Sequence, residues 1–148
     1  MADLRSLYQE VIVDHTKSPR NFGVIDTATH HAEGYNPLCG DKLSLFLKIN
    51  AEHIIEDIRF IGEGCSISTA SASLMTETLK GKDLDHATAL FHAFHHMLTH
   101  DGDCPNDLGK LAVLSGVSEF PARIKCATLA WHTFEAAIAN KLAAVSTE

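Results

Sequence analysis

No run of this 148-residue chain approaches the length of about eighteen apolar residues that a membrane span needs. Residues 1–15 alternate charged and apolar side chains and lack the apolar core of a signal peptide, so the expected compartment is cytoplasmic. Basic residues are scarce: twelve Lys and Arg stand against nineteen Asp and Glu, for a net charge of −7. That balance argues against broad binding to nucleic acid or anionic membrane, where phosphate attraction needs a basic surface. A disordered or fibrous composition is also absent, because 45% apolar and 21% charged residues lie close to the globular average. There is no linker, low-complexity block or internal repeat, so residues 1–148 read as one domain. At that length roughly 68–70% of the unfolded chain's surface can be buried, enough for a core without disulfides or a structural metal. Neither a phosphate-binding glycine loop nor a Gly-x-Ser-x-Gly elbow occurs, and Gly62-Glu63-Gly64 fits no dinucleotide fingerprint.

What is present orders itself as α+β. Leu4, Leu7, Tyr8, Val11 and Ile12 share one helical face over 2–16, and Pro19 ends that helix. Residues 24–36 read as a loop or irregular edge strand. Leu43, Leu45, Leu47 and Ile49 alternate with Lys42, Ser44 and Lys48, the period of a half-buried strand over 42–50. Residues 54–61 give a second strand, joined to the first by a short hairpin connection at Asn50–His53. A helix is expected from just after Cys65 to about Leu79. Its small side chains, from Ser66 to Ser73, suit close approach of another backbone. A second amphipathic helix covers 84–98. Residues 101–121, rich in Gly and Pro, read as a loop with a short helix near 107–114. A final helix runs from about Ala122 to Leu142, with Pro121 suited to its first turn.

The four cysteines form no C-x-x-C pair, and in an expected cytoplasmic chain they suggest metal binding or catalysis rather than disulfides. Cys39 sits in a turn entering a strand, Cys65 opens a helix, and Cys126 lies in the first turns of the last helix beside Arg123 and Lys125. Helix N-termini and neighbouring cations favour the anionic thiolate, the nucleophilic and metal-binding form. Free cysteine also serves as a small buried hydrophobe, and spacing by itself leaves both roles open. Cys39-Gly40-Asp41 is more suggestive, because residues i and i+2 of an extended segment face the same way and can address one ion. His92, His96 and His100 recur every four residues and read as a solvated polar stripe rather than a metal site. Cys104, in the 101–106 segment, lacks a cationic neighbour and reads as a spectator. A Cys–His hydrolase has no local signature here.

Three motifs, in order, carry a resemblance that covers nearly the whole chain. They are Tyr35-Asn36-Pro37-Leu38-Cys39-Gly40-Asp41, Gly62-Glu63-Gly64-Cys65-Ser66-Ile67-Ser68-Thr69-Ala70-Ser71-Ala72-Ser73, and Arg123-Ile124-Lys125-Cys126-Ala127-Thr128-Leu129-Ala130-Trp131. The sequence resembles the NifU N-terminal/IscU family of iron–sulfur cluster assembly proteins, and most closely its SufU branch. Lys125 stands where the scaffold branch typically has a histidine, the Leu-Pro-Pro-Val-Lys chaperone segment is missing, and a longer insertion spans about 101–122. The resemblance implies an α+β domain, with a small antiparallel sheet of about three strands packed against several helices. It implies metal ligands at Cys39, Asp41, Cys65 and Cys126.

For the SufU branch, the resemblance implies zinc at those ligands and a sulfurtransferase that relays sulfur rather than acting as a stand-alone enzyme. Cys39 would accept persulfide sulfur from a SufS-like cysteine desulfurase, and downstream iron–sulfur assembly machinery would receive it. Three thiolates and a carboxylate leave about −2 on a closed tetrahedral zinc site, which Arg123 and Lys125 would partly offset. Asp41 is the hard, weak ligand in a soft set, so it is the ligand expected to gate the site. Two other readings stay open. One is a non-enzymatic scaffold holding iron or a transient [2Fe–2S] cluster on the same residues, with Cys126 as sulfur acceptor. The other is a structural zinc domain that binds partners.

Overall fold

The computed structural model describes residues 4–37, 40–99, 108–139 and 145–146. It is α+β, as expected. Helix α1 (Leu4–Lys17) precedes three antiparallel strands, β1 (His30–Asn36), β2 (Asp41–Ile49) and β3 (Ile55–Glu63). Helices α2 (Ser66–Leu79) and α3 (Leu84–Thr99), a 3-10 helix (Gly109–Glu119), α4 (Pro121–Ile138) and a two-residue strand β4 (Val145–Ser146) follow. The sheet order is β3-β2-β1-β4, with β4 parallel to β1.

The β2–β3 hairpin turns where the sequence places it. Asn50 Oδ1 accepts the backbone N–H groups of Glu52 and Ile54 at 2.9 and 3.1 Å, the side-chain chemistry that makes Asn a turn residue. Leu43, Leu45 and Leu47 of β2 and Ile55, Ile58 and Phe60 of β3 point into one core. Trp131 and Phe134 of α4 and Phe94 of α3 are fully buried in the same core.

Three expectations need correction. Residues 30–36 are not an irregular edge but a regular strand lying between β2 and β4. Its inward residues are Ala32, Gly34 and Asn36, small or polar, so the alternation is real but carries little hydrophobic contrast. Residues 109–119 form a continuous 3-10 helix rather than a loop with a short helix near 107–114. The reason is a period of three: Leu108, Leu111, Leu114 and Val117 are all buried, and a 3-10 helix stacks i and i+3 on one side. Helix α4 ends at Ile138 rather than near Leu142, and 140–144, like 101–107, lie outside the described residues.

Small side chains let the layers close. At Gly34 an added Cβ would overlap Thr133 and press on Leu129, so glycine admits α4 against β1. Between α2 and α4, the Ser71 hydroxyl donates to the Ala127 carbonyl, with Ala70, Ala72, Ala127 and Ala130 buried around it. The small residues of α2 therefore do serve a close helix–helix approach. The segment after α1 is laced to the same helix: Ser73 Oγ accepts the Arg20 N–H at 2.8 Å, and Asn21 Nδ2 donates to Thr76 Oγ1.

Candidate metal centre

Three elements end at one point. Asp41 is the first residue of β2, Cys65 is the N-cap of α2, and Cys126 lies in the second turn of α4. Each position has a local cause. Gly40, with φ +71°, supplies the left-handed turn that delivers Asp41 into the sheet. Cys65 takes the place usually held by Ser or Asp, its sulfur accepting the Ser68 N–H at 3.5 Å and so capping one free donor of α2. Pro121 starts α4 and sets the helical phase that turns Cys126 inward.

One ligand atom from each of Asp41, Cys65 and Cys126 lies within 4.8 Å of the others. Asp41 is fully buried, and its two oxygens differ. Oδ1 accepts the backbone N–H of Cys65 at 2.8 Å, while Oδ2 lies 3.9 Å from Cys65 Sγ. Oδ2 is thus the oxygen offered to an ion. Gly64 packs against this carboxylate so closely that a Cβ there would come within 2.7 Å of Oδ1. Two soft sulfurs with one hard oxygen, separated by little more than the spacing of a tetrahedral zinc shell (about 4 Å), form a donor set that zinc fits. Cys39, expected as the fourth member, lies outside the described residues, as does Cys104.

The two described cysteines also floor a groove of about 650 Å³. Gln9, Ile12 and Val13 of α1 form one wall, and Ser66, Ile67, Ala122 and Arg123 complete it. Cys126 is buried and Cys65 is half-buried, so the groove is the approach to both sulfurs. Arg123 is exposed, with its guanidinium 4.6 Å above the Phe120 ring, and Lys125 is half-buried on the same turn.

Sequence reading passed over two groups of residues. Asn36, at the inner end of β1, is fully buried and donates toward Asp41 Oδ2 at 3.4 Å and Cys126 Sγ at 3.5 Å. Its signal was phase: it follows Ala32 and Gly34 on the inward face, where a polar residue needs partners. The second group is His95 and His132, whose rings meet across α3 and α4 at 5.9 Å beside Phe91. His92 and His96 of the expected stripe are exposed, and His100 is outside the described residues.

A family model described as NifU-like N terminal domain matches residues 7–143. The zinc-dependent sulfurtransferase SufU of Bacillus subtilis (strain 168) is 47% identical over 141 residues, covering 95% of both chains. The iron–sulfur cluster assembly scaffold protein IscU of Streptococcus pyogenes serotype M1 is 42% identical, covering 93% of this chain and 86% of its own. The crystal structure of FiSufU from the SUF system of Fervidobacterium islandicum AW-1 superposes with a TM-score of 0.83 at 32% identity, over 89% of this chain and 96% of that one.

Proposed function

The chain belongs to the family of NifU-like N-terminal domains of iron–sulfur cluster assembly, and on that basis we propose that it is a zinc-binding sulfur relay. Cys39, Asp41, Cys65 and Cys126 hold the zinc, and Cys39 accepts sulfane sulfur from a cysteine desulfurase. The observation that carries the proposal is the convergence of Asp41, Cys65 and Cys126 at the floor of an open groove, with Cys39 two residues before Asp41. Bound zinc would keep these thiolates deprotonated while remaining redox-silent.

The transfer balances without an external oxidant. The Cys39 thiolate attacks the outer sulfur of the donor persulfide, a new S–S bond forms, and the donor's S–S bond breaks. The electron pair leaves on the donor cysteine as thiolate, and the sulfane sulfur with its proton ends on Cys39. Ile12, Val13 and Ile67 give the groove apolar walls, and Arg123 supplies a cation at its rim. Downstream assembly machinery then collects the sulfur, in a cytoplasmic setting. No described helix is long and apolar enough to cross a membrane.

The test is metal analysis of protein purified without chelator, followed by incubation with a cysteine desulfurase and radiolabelled cysteine. About one zinc per chain and label mapping to Cys39, lost in Cys39→Ser, are the expected results. Stoichiometric iron with visible absorbance and no zinc would establish the scaffold reading instead. Zinc without label would establish a structural zinc domain.

A further inference from the structure

Asn36 touches two of the three converging side chains, yet it is no ligand type for zinc in this set. Its carboxamide is fully buried at the inner end of β1, ninety residues before Cys126. Nδ2 carries two N–H groups, one directed to Asp41 Oδ2 and one to Cys126 Sγ. Both neighbours are acceptors in their metal-binding forms, so the amide has one sensible orientation, nitrogen toward the centre. The bonds are long for N–H···O, 3.4 Å, and ordinary for sulfur, 3.5 Å.

We propose that Asn36 is a positioning residue of the metal centre, holding Asp41 Oδ2 and Cys126 Sγ as a preformed pair and drawing electron density from the Cys126 sulfur. The inference rests on the zinc reading above and adds a determinant outside the ligand set. Two consequences follow from the chemistry. Ligands held in place before metal arrives lose less freedom on binding, so affinity depends on the group that holds them. A hydrogen bond to a thiolate also lowers the energy of its lone pairs, making it a poorer nucleophile, while for affinity the placement of the ligands outweighs the small loss of donor strength. Asn36 therefore quiets the Cys126 thiolate. The donor pair sits on β1 and acts across to β2 and α4, so only the folded chain assembles it.

The experiment uses the full-length reduced protein and two variants. Asn36→Leu keeps the number and branching of side-chain heavy atoms and removes both donors, while Asn36→Ala removes bulk and donors together. Zinc affinity is read by competition with a chromophoric chelator. Cobalt(II) replaces zinc to report sulfur-to-metal charge transfer, and the thermal midpoint of the metal-free protein reports the fold. Asn36→Leu is expected to bind zinc about 10–100-fold more weakly than the parent. Its charge-transfer band should move to lower energy, because the Cys126 lone pairs rise once the N–H is gone, while the metal-free midpoint stays close to the parental one. Unchanged affinity and an unmoved band in both variants would overturn the inference and leave the zinc reading standing. Loss of affinity that only tracks a lower metal-free midpoint, with no band shift, would also overturn it, by reducing Asn36 to a packing role. A parent that takes up no zinc would refute the zinc reading itself.

Discussion

At the scale of single residues, the centre depends on Asp41 doing two things with two oxygens. Oδ1 is committed to the Cys65 backbone, and Oδ2 faces the sulfurs. A ligand this buried does not drift away freely, so gating through Asp41 requires something entering the groove to displace Oδ2 while Oδ1 stays anchored. Asp41→Ala removes both contacts at once. On the proposed ligand set three thiolates would remain, a competent soft set, so the variant should still copurify with zinc, water completing the shell. Its rate of sulfur transfer from a desulfurase should differ from the parental rate, because the ligand that yields is gone. Parallel zinc analysis and turnover measurements check this, and a parental rate at full zinc occupancy would remove Asp41 from the gate.

At the scale of elements, the seam between α3 and α4 is where a pH dependence of stability is expected. Burial, and then the neighbouring His95, hold the His132 imidazole below its ordinary value, with Glu135 on α4 pulling the other way. Phe91 of α3 packs edge-on against the ring, at 5.4 Å between centroids. A histidine lowered in the folded state binds its proton more readily when unfolded. The contribution to stability is therefore complete above the ordinary histidine value, about 6.5, and is lost as pH falls below it. Urea unfolding between pH 7.5 and 5.5 should show declining stability, and His132→Gln should flatten that decline. An identical slope in the variant would place the dependence elsewhere.

For the whole molecule, the candidate metal centre lies at the confluence of β2, α2 and α4, whereas the large apolar cluster is built from other side chains. Trp131, Phe94, Phe134, Leu45, Leu47 and Met97 are buried irrespective of any ion. Chelated protein is thus expected to stay folded and to melt cooperatively at a lower midpoint. Free zinc at a hundredfold its dissociation constant adds about 2.7 kcal/mol, and each kcal/mol moves the midpoint of a domain this size by about 2–4 °C. Scanning calorimetry with and without chelator measures the difference. An unchanged midpoint would mean that the bound metal does not link these elements.

The signals for α1, β2, β3, α2, α3 and the start of α4, and the chemistry of the three motifs, are local and legible in the chain. Alternating leucines make β2, a sulfur in an N-cap position starts α2, and Pro121 starts α4 within a few residues of where each signal lies. Even the 3-10 helix was written in the chain, as an apolar residue every third position from Leu108 to Val117, a period masked by the glycines around it. What the motifs face was settled by packing. β1 packs against α4 because Gly34 leaves room for Leu129 and Thr133, a fit between residues nearly a hundred positions apart. That same approach sets Asn36 beside Cys126, and the packing of α3 on α4 pairs His95 with His132. Periodicity reports which side of an element is buried, and packing alone reports against whom.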